Sequence, residues 1–189
     1  MRSSLEGTGR TDEQLAREAA REDSDGPAFQ ALVQRYRDQV WQICFRLMGN
    51  AEDASDAAQE VFVRLFLHRG RYQQKSKYST WMYGVALRTC LSMRRARSRR
   101  VRRVQAAEIT PEMVGQPGEA NTTSLRIDLQ QMLNTLNEED RALLILKYAQ
   151  GHSYDQLAEM FGLSVSACKM RVSRAREKLQ QRFPEIKND

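Results

Sequence analysis

Between residues 71 and 103 there is no aspartate or glutamate, although eleven lysines and arginines fall there. Cysteine is nearly as scarce: Cys44, Cys90 and Cys168 are far apart in 189 residues and form no Cys-x-x-Cys pair. That spacing excludes a disulfide framework and the common zinc motifs, and it fits reduced thiols. The two histidines, His68 and His152, have no carboxylate or cysteine partner at metal or catalytic spacing. No catalytic residue, metal or cofactor is therefore expected, and no enzyme activity. Asp56 and Glu60, at i and i+4, have the spacing of a Mg²⁺-binding pair, but two carboxylates on a helix ordinarily face solvent. No apolar run approaches the roughly 18 residues of a membrane span, and "MRSSLEGTGR" is unlike a signal peptide. A soluble, cytoplasmic chain without membrane insertion is the expectation.

What the chain does have is positive charge, unevenly placed. The net charge is +6. Residues 28–70 balance five basic against five acidic side chains, and residues 104–152 carry three against seven. The excess is thus one block, with a milder basic enrichment after residue 153. A concentrated block indicates a surface for a polyanion more than a solubility device.

The apolar residues recur at helical spacing, and no alternation of period two appears. "TDEQLAREAARE" opens with a capping-box pattern, Thr11 and Gln14. Pro27 suits the first turn of a second helix, with Phe29, Leu32, Val33, Tyr36, Val40, Ile43 and Leu47 inward and Gly49-Asn50 at its end. A third helix, about Asp53 to His68, buries Ala54, Ala57, Ala58, Val61, Phe62 and Leu65 and is closed by Gly70. Ser79 is the expected cap of a fourth. These four form a helical domain over residues 11–103, behind a disordered N-terminus, 1–10. Residues 104–123, with two prolines, two glycines and no period, form a flexible linker. A second helical domain covers 124–184, with Leu125, Leu129, Met132, Leu133 and Leu136 on its first helix, and 185–189 is a tail. The fold class is all-α.

Two motifs carry the chemistry. In "HSYDQLAEMFGLSVSACKMRVSRAREKLQ", Ser153 and Gln156 form a capping box, Gly162 supplies a corner and Ser164 caps the next helix. An inward stripe of Val165, Cys168, Val172, Ala175 and Leu179 leaves Ser166, Ala167, Lys169, Met170, Arg171, Ser173, Arg174 and Arg176 outward, as in a helix-turn-helix that enters a major groove. The second motif is the acid-free block, where Tyr72, Tyr78, Trp81 and Tyr83 precede most of the arginines. Aromatic faces beside cations are the parts of a single-strand binding surface. Read from these residues alone, that surface and a packed aromatic core with a solvated arginine tail fit equally well.

Together the motifs resemble the extracytoplasmic-function (ECF) branch of the sigma-70 family. "DAAQEVFVRLF", Asp56 to Phe66, is similar to its Asp-x-x-Gln-Glu-x-Phe signature, and "YSTWMYGVA" to its aromatic-Thr-Trp segment. The resemblance implies a subunit that binds core RNA polymerase and recognises promoter DNA. It assigns Asp56, Gln59, Glu60 and Arg64 to the polymerase, and Tyr78, Trp81, Tyr83, Arg88, Arg94, Arg95 and Arg97 to recognition and melting of the −10 element. Lys169, Met170 and Ser173 would approach −35 base edges, with Arg171, Arg174 and Arg176 on phosphates. It also implies an anti-sigma partner of unknown identity. The chain departs from the pattern at Arg88, where the family often has Asn, and at "SVSACK", where Pro-x-Gly-Thr-Val-Lys is common. The alternative is a stand-alone helix-turn-helix regulator, which leaves the Asp56–Phe66 motif and the aromatic block without a role.

Overall fold

The computed structural model describes residues 9–23, 26–107, 129 and 131–184. Residues 1–8 of the expected N-terminal tail, most of the linker and the 185–189 tail lie outside them. Among the described residues, α-helices with defined bounds are α1 (Asp12–Ala19), α2 (Pro27–Met48), α3 (Ala51–Leu67), α4 (Tyr78–Ala107), α5 (Glu138–Leu144), α6 (Tyr154–Phe161) and α7 (Val165–Arg182). Among the described residues there is no strand.

Local chemistry accounts for most of the boundaries. Thr11 and Gln14 form the reciprocal capping box that starts α1, and Ser153 and Gln156 do the same for α6. Each box satisfies two of the backbone groups that a helix start leaves open. Pro27 sits in the first turn of α2, and Gly49 ends it in the left-handed conformation, φ 92°. Asn50 then caps α3 through Asp53 N–H, so this helix begins two residues before the expected Asp53. It ends at Leu67, and Gly70 lies in a separate 3-10 turn, Arg69–Arg71, not in a closing cap.

Helix α4 departs further from expectation. It begins at Tyr78, so Ser79 lies within its first turn and does not cap it. The Tyr78 amide instead donates to Glu13 Oε1 of α1 at 3.2 Å. A carboxylate from a distant segment fills the capping position, where the helix dipole favours negative charge. At its other end α4 continues to Ala107, four residues past the expected domain boundary at 103.

Helices α1 to α4 enclose the first core. Leu15, Val40, Ile43, Val61, Leu65, Met82 and Leu87 are almost fully buried. Burying a side chain of this size contributes about 1.5–3 kcal/mol, far above an exposed ion pair. Cys44 and Cys90 join this core with their sulfurs 3.7 Å apart. The hydrogen bond with Cys90, then burial, push the Cys44 thiol pKa well above the ordinary range.

The second core lies among α5, α6 and α7, around Leu143, Leu146, Leu157, Cys168, Val172 and Ala175. Asn137 caps α5, which runs into a π-helical turn, Ile145–Ala149. The wider turn lets His152 N–H bond back to Leu146 O at 3.1 Å, carrying His152 inward. Gly162, φ 66°, makes the corner between α6 and α7, with Leu163 N–H bonded to Ala158 O at 2.9 Å.

A Cβ added at Gly162 would meet nothing within 4 Å, so its replacement costs only the left-handed backbone. Gly162→Ala should lower stability by about 1 kcal/mol. Urea unfolding should show a lower midpoint at unchanged slope, whereas an unchanged midpoint would show that the corner tolerates a side chain.

Candidate nucleic-acid interface

Helix α4 changes character along its length. Its first half is core: Tyr78, Met82, Val85, Ala86, Leu87, Cys90 and Leu91 are buried, whereas Arg95 and residues 96–103 are exposed. The helix therefore carries arginines out from a fixed apolar base.

The aromatics near its start form a cluster. Tyr78 packs against Tyr36 (5.7 Å between ring centres), Tyr72 (5.4 Å) and Trp81 (5.7 Å). Tyr78 is only 4% exposed, and burial, then the nearby Asp12 carboxylate, raises its pKa well above the ordinary phenol range. Its ring supports Trp81, which is half-buried and keeps part of its face accessible. Tyr83, also half-buried, stands edge-on to His152 of the second domain at 4.7 Å.

Four arginines of α4 each find a different partner. Arg88 donates to the Met160 carbonyl at 3.4 Å. Its guanidinium folds back over Gly84, where an added Cβ would stand 3.2 Å from Nη1. Arg94 donates to Leu47 O at 3.1 Å and Met48 O at 3.5 Å, satisfying carbonyls that the end of α2 leaves open. The same side chain lies 3.5 Å from Glu138. Arg95 pairs with Glu139 at 2.5 Å, and Arg97 pairs with Asp53.

On the helix-turn-helix, Cys168, Val172 and Ala175 are buried, and Lys169, Met170, Ser173, Arg174 and Arg176 are exposed. These exposed residues share one side of α7. Arg171 lies apart from it. It is half-buried and holds Asp140 through Nε at 2.8 Å and Nη2 at 2.7 Å, and Glu139 through Nη1 at 3.1 Å. These bonds pin α7 to the first turn of α5.

The polar face of α3 is also in place. Asp56 and Gln59 are exposed, and Arg64 pairs with Glu60 at 2.6 Å along the helix. Sequence reasoning missed that Val63 and Leu67 continue this face, 51% and 64% exposed. Positions 56, 59, 60, 63 and 67 follow the i, i+3, i+4, i+7, i+11 progression of a single stripe. That second period, opposite the buried one, was the available signal. An apolar pair in a polar stripe is the composition of a docking face.

Two small helical domains thus present an arginine-rich aromatic helix, a recognition helix and a mixed polar–apolar helix face. This is the makeup of a DNA-directed subunit. Residues 32–100 match the model for sigma-70 region 2, and residues 126–179 match that for sigma-70 region 4. The chain is 30% identical over 176 residues to the RNA polymerase sigma factor NccH of Alcaligenes xylosoxydans xylosoxydans, covering 89% of this chain and 92% of NccH. It is 29% identical over 174 residues to the ECF RNA polymerase sigma factor SigW of Bacillus subtilis (strain 168), covering 86% and 92% of the two chains. Its fold is similar to that of CnrH solved with the cytosolic domain of CnrY, with TM-score 0.64, 22% identity and coverage of 93% and 99%. The chain belongs to the ECF branch of the sigma-70 family. It is a promoter-recognising sigma factor of RNA polymerase, and the stand-alone regulator is not favoured. Sigma factors are non-catalytic initiation factors.

His152 gives the contact with Tyr83 a pH dependence. Burial lowers its pKa below the ordinary value near 6.5, partly offset by the hydrogen bond with Gln156. The folded chain therefore holds it neutral, and the unfolded chain binds the extra proton as pH falls below about 6.5. Its contribution is complete above that pH and erodes below it. The melting temperature should fall between about pH 7 and pH 5, and His152→Phe, which keeps a ring against Tyr83, should flatten that slope. Equal slopes in both proteins would refute the assignment.

Proposed function

We propose that the three surfaces divide promoter recognition and polymerase binding among them. Helix α4 serves the −10 element: Trp81 and Tyr83 offer faces for unstacked bases, Tyr78 buttresses Trp81 from the buried side, and Arg88, Arg94, Arg95 and Arg97 hold the backbone. Helix α7 serves the −35 element as duplex, with Lys169, Met170 and Ser173 toward base edges and Arg174 and Arg176 on phosphates. Arg171 positions the recognition helix through α5. The observation that carries this reading is that Lys169, Met170 and Ser173 lie exposed on one side of α7 while Arg171 is drawn to the carboxylates of α5.

The stripe on α3, Asp56, Gln59, Glu60, Arg64, Val63 and Leu67, docks on core polymerase. The protein works in the cytoplasm and catalyses no reaction itself. An anti-sigma protein holds it when it is not in use, a reading supported by the fold shared with CnrH, which was solved with CnrY. No helix among the described residues is long and apolar enough to cross a membrane.

Run-off transcription with core polymerase on a library of −35 variants tests the division on α7. Lys169→Ala should change the order of preferred sequences, at about 1–3 kcal/mol for the base it reads. Arg174→Ala should weaken all sequences alike and lower the salt slope by about one. If both variants weaken every promoter equally, α7 reads no bases through Lys169.

The α3 stripe has its own test. Val63→Glu places a charge on an exposed position, so folding stability should move by no more than about 0.5 kcal/mol. Core polymerase affinity should fall by about tenfold or more, since charges are depleted at interface centres. Unchanged affinity would remove this face from the docking surface.

A further inference from the structure

The helix-turn-helix domain covers much of the surface assigned to the −10 element. Tyr83 meets His152, Arg88 reaches Met160 O, Arg94 lies beside Glu138 and Arg95 pairs with Glu139. Four of the seven residues assigned to −10 DNA are therefore engaged by residues 138–160. Two more contacts tie the domains outside that set: Ser76 donates to Glu159, and Arg46 donates to Ala149 O. Apolar contact underlies the polar ones, since Leu87 and Leu91 line one cleft with Met160 and Phe161.

The chemistry of the cover is specific. The first turn of α5 is Glu138-Glu139-Asp140, and its carboxylates offer arginines the same anionic oxygens that a DNA phosphate would. Glu139 is shared, accepting from Arg95 of α4 and from Arg171 of α7. One carboxylate thereby links a −10 cation to the recognition helix. The exposed side of α7 is left uncovered, with Lys169, Ser173, Arg174 and Arg176 in solvent. The two DNA surfaces are treated differently: one is occupied, the other open.

We propose that the start of α5 is an intramolecular phosphate mimic that occupies the −10 arginines in the free sigma factor and must be displaced before single-stranded DNA can bind. This rests on the reading of α4 as the −10 surface. The pairs suit such a role. The Arg95 and Glu139 side chains are 53% and 41% exposed, so solvent and salt weaken the bond, and a phosphate can replace it. A closed population of about 90% would mask single-strand affinity about tenfold, because only the open fraction is competent.

The test uses the full chain without polymerase. Dyes are attached at Gln34→Cys and Gln180→Cys, both exposed positions, while the three native cysteines are buried. Energy transfer reports the approach of the domains, and a labelled oligothymidylate reports single-strand binding. Glu138→Gln/Glu139→Gln should lower transfer and raise oligothymidylate affinity about tenfold. Removing two negative charges favours DNA by itself, so Asp38→Asn/Glu52→Gln, with the same charge change on exposed positions of the first domain, is the reference. Glu138→Gln alone should act in the same direction, because Glu138 contacts Arg94 and leaves the Arg171 bonds intact. Transfer equal to the reference overturns the latch. Lower transfer with no gain in binding over the reference overturns the occlusion. Neither result bears on initiation with core polymerase, whose absence at every promoter would instead defeat the reading of α4.

Discussion

A helix of 30 residues can serve two environments only if one part is anchored firmly enough to hold the other in water. Helix α4 meets that constraint by burying Tyr78, Met82, Val85, Ala86, Leu87, Cys90 and Leu91 before the run of arginines that starts at Arg94. The energetic weight lies in the apolar half, where each large side chain contributes about 1.5–3 kcal/mol. Apart from Arg94, which also closes α2, the arginine half contributes little to folding, since exposed ion pairs are worth about 0–1 kcal/mol. Its side chains can therefore exchange Asp53, Glu138 and Glu139 for other anions without endangering the fold. The same anchoring sets the aromatic cluster in place, because Tyr78 fixes Trp81 from the buried side.

Parts of this arrangement were legible in the sequence because they are local. The caps at Thr11, Ser153 and Ser164 and the corner at Gly162 involve residues within a few positions of one another, and the structure has them all. The buried stripes of α2, α3 and α7 also follow from period alone. The family was legible because its motifs are long and ordered along the chain. Failures came where a partner lies far away in sequence. Glu13 starts α4 from 65 residues upstream, and Arg94 closes α2 from 46 to 47 residues downstream. Neither leaves a local pattern. Arg171 was placed outward by its position on α7, but two carboxylates more than thirty residues earlier draw it into the fold.

The exposed stripe on α3 illustrates a different failure. Its residues are close together, and its period was visible, but Val63 and Leu67 were obscured by the stronger buried stripe beside them. A helix with two stripes is under two selections, one from its own core and one from whatever covers the other face. The acidic start of α5 is a comparable case. Read alone, Glu138-Glu139-Asp140 is an ordinary favourable first turn; only the fold brings it to arginines of both other elements.

The thiols of Cys44 and Cys90 mark the seam between α2 and the buried half of α4. They face each other 3.7 Å apart between α2 and α4, sealed from solvent, and the raised pKa of Cys44 keeps that thiol in its unreactive protonated form. No reagent reaches them while α4 lies on α2. Their rate of alkylation is thus a native clock for the breathing of the first domain, read from atoms the protein already carries. Any partner that grips α4 would slow that clock, and any that pries it up would speed it, whichever surface it binds.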